Sequence, residues 1–471
     1  MKSLLKQIVS GAMLLVLPLM LTGCEDILGK WERPAPSIPT PTPTSPFDAL
    51  STPLTLEAVE DGQIKVSYNW GVTLSQPIKY AINGEVQEDI TAATSTVIDA
   101  NHLETIITVK AGDMVQFWSN NSALGENTSK HLNIKPTAKC YIYGNFMSLI
   151  DDGTEGFVND KTIGGDWAFS NLFYEADKIY NHPEKEFVLP ATTLSKGCYF
   201  SLFALCPNIT RIQEDLLPAG KDGIGSLAEQ CYRQMFIYSG ITSIPEKLLP
   251  ATILMKECYQ GMFGDCHSIT SIPEKLLPAG KGGIGALAEN CYHTMFSSSI
   301  GLTSIPVNLL PATSLKKGCY SHMFIYSGVQ TLHAGMLPAT ELADECYSQM
   351  FRYSKLVDVP YSLLPATTLT KSCYNQMFAN CEELLTSPKL GASTLVSGCY
   401  GSMFFECKKL GSVTCLATSG FDQSGLNSWL EGAGSSAGSR TLHVKTSDTH
   451  DATSDWKLPS TPAWTLTKDQ P

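Results

Sequence analysis

Two stretches carry the residue types of a phosphate-binding loop: "PAGKDGIGSLAEQCY" from Pro218 and "PAGKGGIGALAENCY" from Pro278. Glycines let a backbone wrap a phosphate, and a lysine supplies the opposing charge, so the chemistry on offer is nucleotide binding. The motif needs Gly-Lys followed by Ser or Thr at the start of a helix. Here Lys221 is followed by Asp222 and Lys281 by Gly282. A dinucleotide fingerprint needs a buried strand before it and an acidic residue after it within a βαβ unit, and neither is present. The two glycine runs are instead five-residue insertions: Ala191–Cys198 and Ala251–Cys258 span seven residues, Ala219–Cys231 and Ala279–Cys291 span twelve. They are expected to protrude as two similar loops, two repeats apart.

The second candidate chemistry is sulfur. Fifteen cysteines occur, but no Cys-x-x-Cys, and a regular ladder of thiols does not converge four ligands tetrahedrally, so no metal is expected. Eight residues beyond each Cys-Tyr stands Cys206, Ser239, Cys266, Ser299, Ser327, Ser354, Cys381 or Cys407. Exchange of Cys with Ser at one site predicts a small inward side chain, not an obligatory bridge. Equivalent residues about 4.8 Å apart on successive rungs are also too far for a disulfide, which wants Cβ atoms near ~3.8 Å. Buried free thiols follow. His102 and His131 read as isolated, and His267, His293, His322 and His333 occupy different repeat positions. With no His-Glu-x-x-His and no Gly-x-Ser-x-Gly, the chain is read as a non-enzyme without a cofactor.

The elements that carry these residues form an array. Cys-Tyr recurs at Cys198, Cys231, Cys258, Cys291, Cys319, Cys346, Cys373 and Cys399, in steps of 33, 27, 33, 28, 27, 27 and 26. A period near 27 marks stacked coils that share a core. In "TLTKSCYNQMF" the apolar residues Leu369, Cys373, Tyr374, Met377 and Phe378 fall on one stripe of a 3.6-residue period, which predicts a helix capped by Thr367 or Thr368. "ITSI" at 241–244 and 269–272, matched at 302–305, predicts a short strand. The Met-Phe-x-x-Cys-x-x-Ile-x-x-Ile pattern of Met262 to Ile272 resembles bacterial surface leucine-rich-repeat proteins of the BspA-like kind. The expected fold is therefore an α/β solenoid, leucine-rich-repeat-like, with one short strand and one helix per repeat of about 27 residues, preceded by a small all-β sandwich. That resemblance implies adhesion and surface contact.

Ahead of the array, residues 48–140 alternate in the manner of strands, with Asn83-Gly84 as a hairpin turn and a second turn at Ala111-Gly112-Asp113. At the N-terminus, Lys2 and Lys6 precede the apolar run Ile8–Met20, and Leu21-Thr22-Gly23-Cys24 resembles the lipobox of bacterial lipoproteins. The resemblance implies cleavage before Cys24 and its acylation. Glu25 and Asp26 resemble the surface-export signal of Bacteroidetes-type lipoproteins. The expected order is a signal peptide (1–23), a lipid anchor with a proline-rich linker (24–47), the sandwich (48–140), a connecting segment (141–164), the repeats (165–415) and a C-terminal cap (416–471).

Net charge is −12, from 33 basic and 45 acidic residues, which disfavours nucleic acid as a partner. Membrane contact is expected through the lipid alone, with the protein on the outer membrane facing the exterior. Candidate ligand-contact residues are the outward strand positions Thr242, Ser243, Thr270, Ser271, Thr303 and Ser304, and the column Tyr238, Tyr326 and Tyr353. The function these readings favour is surface-anchored binding or adhesion to extracellular protein or glycan. The alternative is a carbohydrate-active accessory protein or enzyme with its site in the β domain.

Overall fold

The computed structural model describes residues 47–150 and 156–470. The chain divides into two units, Met1–Asp48 and Ala49–Pro471, and the second holds both the β domain and the array. Residues 1–46, which hold the expected signal peptide, Cys24 and nearly all of the proline-rich linker, lie outside the described residues.

The front part is two antiparallel sheets sharing one core. One holds β1 (Leu54–Ala58), β7 (Met114–Trp118), β3 (Lys79–Ile82), β4 (Glu85–Val86) and β9 (Cys140–Asn145); the other runs β5 (Thr96–Asp99), β6 (His102–Val109), β2 (Gly62–Asn69), β8 (His131–Pro136). Alternation drives the fold: Ile64, Val66 and Tyr68 of β2 are buried with Leu54 and Leu56 of β1 and Val115 and Phe117 of β7. Asn83 and Gly84, with φ of 51° and 86°, close the β3–β4 hairpin. The turn at Ala111-Gly112-Asp113 does not close a second hairpin, because β6 pairs with β2 and β5 whereas β7 pairs with β1 and β3. It carries the chain from one sheet to the other.

β9 continues the core into the array. Its free edge takes β10 (Ile179–Asn181) and β11 (Phe187–Val188) in parallel. Across this junction Lys185 Nζ lies 2.8 Å from Glu57 Oε2 and 4.1 Å from the Tyr143 ring centroid. His182 Nδ1 accepts the amides of Glu184 and Lys185 at 3.0 and 2.9 Å. The cluster ties the first coil to the sheet.

The array contains no helix where the sequence predicts one, and the α/β solenoid is corrected on this point. Among the described residues the helical segments are single turns of three or four residues, such as Phe146–Leu149 and Gly156–Asn159. In the predicted helix after Thr370, the backbone turns left-handed at every fourth residue: Ser372, Gln376 and Asn380 have φ of 53°, 54° and 59°. An α-helix tolerates none of these. Hydrogen bonding explains the alternative. The amides of Cys373, Asn375, Met377, Ala379 and Cys381 donate three residues back, to Thr370, Ser372, Tyr374, Gln376 and Phe378. The intervening amides of Ser372, Tyr374, Gln376, Phe378 and Asn380 donate to the next coil, at Ser397, Cys399, Gly401, Met403 and Phe405. Every amide from 372 to 381 is thereby satisfied, half within the coil and half between coils.

The same scheme repeats from Trp167 (φ 61°) to Ser428 (φ 50°). It stacks identical side chains in register. The tyrosines from Tyr199 to Tyr400 lie 5.6–6.0 Å apart, centroid to centroid. The phenylalanines from Phe173 to Phe404 lie 5.8–5.9 Å apart with planes within 10°. Offset parallel stacking at this range is attractive, which favours strict register between coils. The predicted strand is also largely absent. "ITSI" at 241–244 is extended without forming a strand, and coils meet there through single bonds such as Thr242 N to Thr210 O (3.2 Å). Beyond β10 and β11, continuous parallel strands resume only at β12 (Thr386–Leu390), followed by β13 (Ser412–Cys415), β14 (Thr441–Lys445) and β15 (Thr465–Gln470).

All fourteen cysteines among the described residues are buried and unbridged. At the position that alternates with serine, the thiols of Cys206, Cys266, Cys381 and Cys407 donate to the carbonyl of the preceding coil's phenylalanine at 3.0–3.1 Å. Burial pushes the Cys266 and Cys381 thiols up to about 12, so they stay protonated as donors.

The glycine insertions form matching exposed loops, in which Gly220 and Gly280 both adopt φ of 81°. A side chain at Gly220 would meet Ala251 Cβ at 2.6 Å, so the loop leaves the stack where only glycine fits. At the far end residues 425–430 form one more turn-ladder coil, bonded through Tyr400 N to Gly425 O and Phe404 N to Trp429 O. Buried Trp429 and Trp456 close it, and Trp429 Nε1 donates to the Trp456 carbonyl at 2.8 Å.

Candidate binding face

The left-handed corners decide which side chains face outward. Seven residues beyond each cysteine of the repeat stands one such corner: Leu205, Tyr238, Asp265, Ser298, Tyr326, Tyr353, Asn380 and Glu406, with φ between 55° and 61°. The adjoining positions, two and three residues beyond the cysteine, are mostly polar: Arg233, Gln234, Gln260, His293, His322, Gln349 and Gln376. Coil-to-coil bonding brings these columns side by side along the stack.

The three predicted tyrosines do not form one group. Tyr326 and Tyr353 stack at 4.5 Å between centroids with planes 6° apart. The Arg352 guanidinium lies 4.9 Å over Tyr353 and donates to Gln349 Oε1 at 2.8 Å. Tyr238 stands three coils away and hydrogen-bonds Asp265; burial pushes both of their proton affinities up. The residues Thr242, Ser243, Thr270, Ser271, Thr303 and Ser304 are exposed, while the flanking Ile241, Ile244, Ile269, Ile272, Leu302 and Ile305 are buried. Thr242 Oγ1 donates to the Thr210 carbonyl at 3.3 Å. These residues follow the corner column by four to six positions and lie on the extended segment of the coil.

Sequence reading missed the polar columns. Arg233 Nη1 lies 2.6 Å from Glu257 Oε2, which also accepts from Gln230 Nε2 at 2.7 Å. His293 and His322 lie at different repeat positions, yet their ring centroids are 4.9 Å apart, because the two columns adjoin on successive coils. Burial depresses their proton affinities, to about 3 for His293 and about 4 for His322; Arg233 adds to the effect at His293 and Arg352 at His322, and a proton on His322 would oppose one on His293. Both are neutral near pH 7. Gln234 Oε1, Gln260 Oε1, His322 Nε2, Gln376 Oε1 and Asn380 Nδ2 are buried without a protein partner. Aligning the chain on Cys-Tyr would have revealed these columns as runs of Gln, His, Arg, Asn and Ser.

Chemically the columns offer amides, hydroxyls, two arginines and one stacked tyrosine pair of which Tyr326 is exposed, repeated from coil to coil. They match hydrogen-bonding ligands that extend over several coils. No family model, no curated protein and no solved structure matches this chain.

Proposed function

We propose that the protein is a surface-anchored binding or adhesion protein that recognises extracellular protein or glycan along the stack. The observation that carries this reading is the Tyr326–Tyr353 pair with Arg352 beside it, set among columns of polar side chains. Tyrosine and arginine are the residue types that dominate binding energy at interfaces. Tyr326 is 38% exposed although its ring is stacked, so its free surface is open to a partner. The face is expected to bind without performing chemistry on its ligand.

The test is binding of the full chain to arrays of glycans and extracellular-matrix proteins, against a Tyr326→Ala/Tyr353→Ala variant. Loss of roughly tenfold or more in affinity is expected for the ligand of this face. Equal binding by the variant rejects the face.

The anchor part of the proposal rests on Leu21-Thr22-Gly23-Cys24. Burial of acyl chains at about 0.8 kcal/mol per CH₂ would hold the chain on the outer membrane. Cys24→Ala should move the protein from the membrane fraction to the soluble fraction on cell fractionation. Retention in the membrane fraction would reject lipidation at this cysteine.

A further inference from the structure

A second surface, on the β domain, presents a tryptophan to solvent from a tight turn. After β2 the chain turns through Asn69-Trp70-Gly71-Val72, closed by Val72 N–H donating to the Asn69 carbonyl at 3.2 Å. Trp70 and Gly71 have φ of 55° and 71°. A turn with both central residues left-handed selects Asn-Gly or Asp-Gly. The same chain follows that rule at Asn83-Gly84, but here a tryptophan occupies the strained first position. Burial does not offset the strain, because Trp70 is 53% exposed. A strained backbone that presents a large aromatic ring to solvent points to a use for the ring.

Strand register surrounds that ring with polar groups. Asp99 of β5 pairs with His102 of β6, His102 with Asn69 of β2, and Asn69 with His131 of β8, a single row across the sheet. The two histidines that read as isolated in the sequence therefore stand in one constellation. The His102 ring meets the Trp70 ring at 5.8 Å, edge-on, and its Nδ1 donates to Asp99 at 2.8 Å. Asn69 Nδ2 donates to His131 Nε2 at 3.3 Å. Burial holds His131 neutral, with its proton affinity down near 4, so that nitrogen can accept. Among the described residues Asn69 Oδ1 and His102 Nε2 make no hydrogen bond, and Asp99 is exposed with capacity to accept more.

The ligand that fits has an apolar face to lie on an indole and a rim of hydroxyls to meet an amide oxygen, an imidazole and a carboxylate. A pyranose ring has both. Asp99 and the chain's net charge of −12 disfavour an acidic ligand. We propose that Trp70, with Asn69, Asp99 and His102, forms a binding site for a neutral saccharide, separate from the face on the stack.

The test titrates the full chain with cellobiose, chitobiose, maltose, lactose and mannobiose, read by calorimetry and by tryptophan fluorescence. At least one disaccharide should bind and perturb the fluorescence. Trp70→Asn should weaken that binding roughly tenfold or more while the melting temperature holds or rises, because asparagine suits the turn. Trp70→Phe should retain part of the affinity. The Tyr326→Ala/Tyr353→Ala variant should keep the whole response, which separates this site from the stack. Binding of none of the five sugars, equal binding by Trp70→Asn, or a lower melting temperature for Trp70→Asn would each overturn the proposal.

Discussion

Phe296→Ala is expected to destabilise the protein by about 3–5 kcal/mol, the range for emptying a packed aromatic site in a core. Phe296 is fully buried, 5.8 Å from Phe263 on one side and 5.8 Å from Phe324 on the other. Its removal opens a gap between two rings whose backbones are held in place by coil-to-coil bonds, so the site cannot collapse. A second substitution tests the backbone itself. Glu345 is exposed and left-handed, with φ of 60°. A left-handed non-glycine residue costs about 1–2 kcal/mol, and glycine's greater freedom when unfolded returns about 0.5–1 kcal/mol of that. Glu345→Gly should therefore be neutral to stabilising by some tenths of a kcal/mol. In a helix the same change would lose about 1 kcal/mol. The corresponding positions of three other coils are already glycine: Gly197, Gly318 and Gly398, with φ of 59°, 59° and 66°. Urea denaturation of both variants decides the matter. A cost below about 1 kcal/mol for Phe296→Ala, or a clear loss for Glu345→Gly, would contradict the ladder of turns.

The same contrast explains why the coil carries the sequence signature of a helix. The apolar set at Cys373, Tyr374, Met377, Phe378 and Cys381 is inward, and all five residues are buried, so the sequence pattern identifies the core correctly. It does not identify the period. Over eight residues a helix rotates each position by about 100° and a four-residue ladder by about 90°, which leaves the two only about 80° apart, inside a single apolar stripe. The discriminating signal lies in the polar residues. Gly197, Gly261, Gly318 and Gly398, with Asn290 and Asn380, fall at four-residue steps from one another around the Cys-Tyr, where left-handed backbone is wanted. The polar columns are readable by aligning the repeats on Cys-Tyr, but that two of them adjoin on successive coils follows only from the backbone. In the β domain the local turn at Asn83-Gly84 is legible, but the row from Asp99 to His131 is not. The Asp99–His102 link is local, but the rest depends on the register of β2, β6 and β8, whose members Asn69, His102 and His131 are far apart in sequence, and no local pattern encodes it.

Acidification from pH 7 to pH 5 is expected to remove about 6 kcal/mol of stability through three buried histidines. In the unfolded chain a histidine takes a proton near pH 6.5. In the folded chain burial holds His293 down to about 3, and His322 and His131 to about 4. Across the window between those values the unfolded chain binds protons that the folded chain refuses, so stability falls as pH falls. Above pH 6.5 the three residues are neutral in both states and the stability is fully present. At pH 5 each contributes a loss of about 2 kcal/mol. His182, also depressed by burial, adds in the same direction. Glu57 and Asp99 have lowered proton affinities and titrate below this window, whereas Asp265, whose affinity burial raises, takes up a proton more readily folded than unfolded and offsets part of the loss. Urea midpoints measured from pH 7 to pH 5 should drop steadily. A His293→Gln/His322→Gln variant should lose about two-thirds of the dependence, since His131 in the β domain remains. A flat profile for the native chain, or an undiminished slope in the double variant, would show that these imidazoles are not held neutral by the packing of the polar columns.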